Sequence, residues 1–215
     1  PESTKKAIAL TRAKGNLVYL CTGRSKAEIY DFILDCGIDG VIGAGGGYVE
    51  IGDTMLYHKK VTKEAVNHMV DYFEANNFDY YVESNGGLFA SKNLVKRLER
   101  IIYGDIENDL EARKRWQRKE NHFINALIEG EELRRDDINK VCFLENPNIP
   151  FDDIINEFKN EFNVIHCTVP MFGDDSGELS VPNIHKANAI ETLINHLGID
   201  RKNTYAFGDG MNDKE

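Results

Sequence analysis

The chain has 215 residues, with 36 acidic against 26 basic side chains and a formal charge of -10. That balance argues against nonspecific binding of nucleic acid or anionic membrane by the whole surface, and no signal peptide or membrane-length apolar run is visible. Cys21, Cys36, Cys142 and Cys167 are scattered with no CxxC pair, so neither a disulfide framework nor a zinc site is indicated, and a reducing cytoplasm is the expected compartment.

Residues 3–14 are expected to be helical, with Ala7, Ile8 and Leu10 apolar and Gly15 as the stop. Residues 16–21 form an apolar run bounded by turn residues, the pattern of a buried strand. Ser25 and Glu28 have capping-box spacing, which predicts a helix from there to about residue 35. Residues 40–44 read as a second buried strand, so the opening rhythm is strand, helix, strand, as in a βαβ unit. The rhythm then changes. Residues 48–51 and 54–58 flank Gly52-Asp53 as a hairpin. A helix is expected over 62–76, a strand over 80–83, and a charged helical stretch over 92–130. A strand at 140–144, a helix at 152–162 and a strand at 164–169 complete an α+β block. The first pattern resumes near Glu178, with an amphipathic helix over 185–196, Gly198 as its stop, and a strand over 204–207. The expected organisation is a Rossmann-like α/β core from residues 1–59 and 177–215, with an inserted domain over 60–176.

The chemistry-bearing residues gather at the predicted strand ends. Thr22-Gly23-Arg24 follows one strand, and a helix N-terminus beside it favours anions. Lys186 opens another helix, where the dipole disfavours a cation, so helix stability does not explain it. Gly208-Asp209-Gly210-Met211-Asn212-Asp213 follows the last predicted strand and carries two carboxylates, suitable for a hard cation such as Mg²⁺. On its own this segment reads equally as an acidic surface turn, and Lys186 alone as an exposed lysine. It does not fit a calcium loop, which needs a later glutamate. Gly43-Ala44-Gly45-Gly46-Gly47-Tyr48 is not a dinucleotide fingerprint, since Tyr48 breaks the pattern and a hairpin follows. Together a hydroxyl, a cation and paired carboxylates suit a phosphate ester, whose charge they would neutralise.

In their order and spacing these motifs resemble those of haloacid-dehalogenase-like (HAD) hydrolases of the Cof-type branch, which carry a large C2 cap. The resemblance spans essentially the whole chain. It implies that Thr22 holds the phosphoryl group, that Lys186 neutralises nucleophile and phosphate, that Asn212 is catalytic with them, and that Asp209 and Asp213 serve a Mg²⁺ site. Gly23, Arg24, Gly45 and Gly46 would line the substrate. Two positions depart from the family pattern. Gly45 stands where an Asn is usual, and Lys186-Ala187 replaces Lys-Gly. The largest departure is that no Asp-x-Asp-Gly-Thr is present, the motif that carries the family's nucleophile. The expectation is therefore a segment of a longer phosphohydrolase that acts on small phosphorylated metabolites through an aspartyl-phosphate. A phosphomutase and a non-catalytic phosphate-binding or regulatory module are the alternatives.

Overall fold

A computed structural model of the chain describes residues 1–208 and 213. Two units divide it, Pro1–Lys59 with Asn183–Glu215, and Lys60–Pro182.

In the first unit, α1 (Glu2–Ala13) is tied down at its end by Arg12, which forks onto the Asp39 carboxylate with Nη2–Oδ1 at 2.7 Å. Asp39 also accepts the Val18 N–H at 2.8 Å, which places the entry to β1 (Tyr19–Cys21). The Ser25–Glu28 capping box forms, but it opens only a single tight turn over Lys26–Glu28, followed by the four-residue α2 (Asp31–Leu34). The continuous helix predicted to residue 35 is interrupted because Ile29 is extended and buried against Val41 and Tyr48. Burial of Ile29 outweighs the local helix signal. Then come β2 (Gly40–Gly43), β3 (Tyr48–Ile51) and β4 (Thr54–His58), with the hairpin turn at Gly52 in the left-handed region, φ 55°. Among the described residues the sheet order is β1-β2-β3-β4, with β1 parallel to β2 and the remaining pairs antiparallel.

The second unit opens with α3 (Lys63–Ala75), whose first turn is capped by the Thr62 side chain accepting the Ala65 N–H. β5 (Tyr80–Ser84) and β6 (Leu88–Ala90) follow as a hairpin; the sequence reading missed β6. The charged stretch resolves into α4 (Leu94–Tyr103), α5 (Leu110–Gln117) and α6 (His122–Ala126), then the two-residue β7 (Leu127–Ile128). β8 (Ile138–Phe143), α7 (Phe151–Phe158), β9 (Asn163–His166) and β10 (Gly177–Ser180) complete it. The order among the described residues is β7-β6-β5-β8-β10-β9. β10 corrects the sequence-based boundary at 176/177. Residues 177–180 pair with β8 and β9 and belong to this unit, because Gly177 and Leu179 alternate into its interior. The core is largely aromatic. Phe73 lies within 4.8–5.7 Å, centroid to centroid, of Phe78, Tyr80, Phe143 and Phe158.

Back in the first unit, α8 (Lys186–Leu197) ends at Gly198 with φ 67°, the left-handed stop that the sequence predicts. Its Ala189 and Leu193 pack with Ile42 and Val49 on one sheet face, and Ile29 packs with Val41 and Tyr48 in a separate cluster. The strand predicted over 204–207 is not formed. Tyr205 and Phe207 are 87% and 96% exposed, and no described strand pairs with them. A short apolar run becomes a strand only when a neighbouring ladder takes its N–H and C=O groups. No described helix is long and apolar enough to cross a membrane.

Candidate functional site

The site forms where β1 and β2 end. Thr22 extends the parallel ladder by donating its N–H to the Ile42 carbonyl at 2.8 Å. Its own carbonyl accepts the Gly45 N–H at 3.0 Å, and the Arg24 carbonyl accepts the Ala44 N–H at 2.8 Å. Two backbone bonds thus lash the Thr22-Gly23-Arg24 loop to the glycine loop. The Thr22 Oγ1 accepts the Arg24 N–H at 3.2 Å, so the hydroxyl is oriented by its own turn.

Lys186 supplies the cation. Its Nζ lies 2.5 Å from the Asp213 Oδ1, and the two side chains are 14% and 27% exposed. This pairing accounts for a lysine in the first turn of α8, where the dipole alone would disfavour it. Burial pushes the Cys21 thiol up, Lys186 pulls it down and Asp213 raises it. Both charges therefore act on the end of β1, one residue before Thr22. The structure brings together the Thr22 turn, the glycine loop, Lys186 and Asp213.

The glycines divide by role. Gly46 has φ 103°, and a Cβ there would sit 2.6 Å from the His185 carbonyl oxygen, so only glycine lets this loop touch the start of α8. The Tyr57 hydroxyl donates to the Gly46 carbonyl at 2.9 Å and fixes the loop from below. Gly45 is in the left-handed region at φ 66° with open space around it, and Gly23 meets nothing within 4 Å. Arg24 is turned back on its own segment. Its Nη1 donates to the Glu28 carbonyl at 3.3 Å and its guanidinium lies over the Tyr30 ring at 5.1 Å. Asp209 and Asn212 lie outside the described residues. Among the described residues no three His, Cys, Asp or Glu converge as a metal cluster, and Asp213 is the carboxylate at this site. Tyr57 and His185 were not marked by the sequence, because only the long-range approach of Gly46 to α8 reveals them.

The sequence profile of the haloacid dehalogenase-like hydrolases matches residues 1–215. The chain belongs to this family. The resemblance read from the motifs is borne out, and so is the enzyme class of hydrolases. Phosphatase YwpJ of Bacillus subtilis is 23% identical over 224 residues, covering 97% of this chain and 76% of that protein. The HMP-PP phosphatase of Escherichia fergusonii is 22% identical over 223 residues, covering 100% of this chain and 72% of that protein. Among solved structures, a protein from Geobacillus kaustophilus HTA426 superposes with a TM-score of 0.74 at 23% identity, covering 99% of this chain and 74% of the other. A HAD subclass IIB sugar phosphatase superposes at 0.65 with 20% identity, covering 99% and 75%. These likenesses establish the HAD fold for the chain, a core with a cap.

Proposed function

We propose that this hydrolase removes phosphate from small phosphate esters of the sugar-phosphate kind, with Mg²⁺ as its metal. The observation that carries the reading is the Lys186–Asp213 pair, set beside the end of the strand that leads into the Thr22 turn. The relatives named as phosphatases support the reaction class. In the overall reaction the P–O ester bond breaks and water supplies an oxygen to phosphate and a proton to the released alcohol.

The residues divide the work. The Thr22 hydroxyl donates to a phosphoryl oxygen, and the glycine loop around Gly45 and Gly46 lets backbone approach the ester closely. Lys186 offsets the charge that builds on the phosphoryl group during transfer. Asp213, with Asp209, would hold the metal, and Asn212 belongs to the same catalytic motif. Hard oxygen donors suit Mg²⁺, which is commonly held by one or two carboxylates together with substrate phosphate. Bound Mg²⁺ would draw charge from the phosphoryl oxygens. The aspartyl-phosphate route belongs to the same reading and depends on the Asp-x-Asp-Gly-Thr motif that this sequence does not contain. All four cysteines are free, which supports a reducing, cytoplasmic setting.

The test is hydrolysis of p-nitrophenyl phosphate and a panel of sugar phosphates by the protein that carries this chain. Lys186→Ala is expected to lower kcat/KM by about 10²–10³-fold, the scale of losing one preorganised charge-stabilising group. Asp213→Asn is expected to lower it by about 10–100-fold. Chelation should abolish turnover and added Mg²⁺ restore it. Chelator-resistant turnover that survives Lys186→Ala would sink the proposal.

A further inference from the structure

A second cleft in the first unit carries chemistry of its own. It has a volume of about 160 Å³ and is lined by Lys59, Asn183, His185, Asn188 and Thr192, with Gly46, Tyr57 and Ile184 closing it. Helical spacing puts Asn188 and Thr192 on one stripe of α8, with His185 at its N-cap, while Lys186, Ala189 and Leu193 lie on the neighbouring stripe. The cleft is therefore offset from Lys186 and Asp213 around the helix.

Its polarity is one-sided. Among the described residues no carboxylate lines it, although the chain carries 36 acidic residues and a net charge of -10. The Lys59 ammonium makes no salt bridge among the described residues and rests 5.8 Å from the Tyr57 ring centroid. The side-chain amides of Asn183 and Asn188 have no hydrogen-bond partner among the described residues. Asn183 is held at φ 58°, a left-handed conformation that asparagine tolerates better than most residues. A cation with no ion-pair partner and two amides, each able to donate, thus line a space that no carboxylate among the described residues opposes.

We propose that this cleft is a binding site for a small tetrahedral oxyanion, with inorganic phosphate as the fitting example. Size admits the class. At about 160 Å³ the cleft has ample room for one phosphate, since a single water needs only about 10–15 Å³ of such space. Lys59 and the two asparagine amides supply charge-assisted and neutral donors. Lys59 is the last residue before the chain leaves this unit and Asn183 the first on its return. An anion held there braces the two crossings against each other.

The experiment is a titration of the full chain with inorganic phosphate, followed by calorimetry and by amide exchange, with and without chelator. A chelator-insensitive binding event is expected that persists in Lys186→Ala. Lys59→Met should weaken it by about tenfold, the scale of one charge-assisted contact. Asn188→Leu should weaken it as well. Asn183→Gly keeps the backbone conformation and removes the amide, so it separates ligation from folding. Phosphate should slow exchange at residues 59 and 183–185 in the unaltered chain and not in Lys59→Met. Phosphate binding that Lys186→Ala abolishes entirely, or that all three cleft variants leave unchanged, would overturn the proposal. Neither result depends on turnover, so the outcome is separable from that of the phosphatase assay.

Discussion

The two units bury their apolar residues differently. The second gathers Val66, Met69, Phe73, Tyr80, Val141, Phe143 and Phe158 into one cluster between its helices and the six-stranded sheet. The first has smaller clusters, one around Ile42 and Val49 and one around Val41 and Tyr48, and leaves Tyr205 and Phe207 in water. The first nevertheless holds the candidate chemistry. A fold can thus place its stability in one region and its reactive groups in another, where backbone hydrogen bonds and single glycines do the positioning.

The contrast can be broken most severely at Phe73. Replacing this fully buried ring by alanine empties the centre of the aromatic cluster and should destabilise the second unit by about 3–5 kcal/mol. Urea unfolding would measure the loss, and amide exchange should locate it in residues 60–182. An equal rise in exchange over β1 and β2 would mean that the two cores are not independent. Gly46→Ala is the matching insult to the first unit. It adds a side chain at φ 103° against the His185 carbonyl and should lose about 1–3 kcal/mol. Circular-dichroism melts would read it, and an unchanged melting temperature would show that the loop moves away from α8 freely.

The smallest effect sharpens the comparison through pH. His68 on α3 is bracketed by Glu161 at 2.5 Å and Glu157 at 2.8 Å. The Glu161 hydrogen bond, aided by Glu157, raises its pKa above 6.5 despite partial burial. A raised value means that the folded state holds the proton more tightly than the unfolded one. The added stability is therefore complete below about pH 6.5 and fades as pH climbs through the folded value. The side chain is 38% exposed, so solvent screening limits the effect to about 0.5 kcal/mol. His68→Gln should be less stable than the parent at pH 5.5, and the gap should narrow as pH rises. A gap that widens toward high pH would reverse the assignment.

Much of this was legible because local signals agreed with tertiary demand. Thr62 caps α3, Gly198 stops α8, and the Gly52-Asp53 hairpin forms where the pattern places it. The misreadings fall where distant residues decide. Ile29 leaves the helical path to bury itself against Val41 and Tyr48, and β10 joins the second unit because β8 and β9 pair with it. Residues 204–207 have strand composition but no described ladder to join. At the site, Thr22, Lys186 and Asp213 were visible as motif residues. The lashings through Ala44, Gly45 and Tyr57 were not, since backbone partners leave no mark on side-chain spacing.

The solvent-facing rings of Tyr205 and Phe207 also bear on how the chain behaves in the test tube. Bare aromatic surface draws molecules together, whereas a formal charge of -10 keeps them apart. That repulsion reaches about 30 Å in 0.01 M salt and about 8 Å at 0.15 M. Light scattering of concentrated samples should accordingly rise with ionic strength, and acidification toward the isoelectric region near 5.1 should have the same effect.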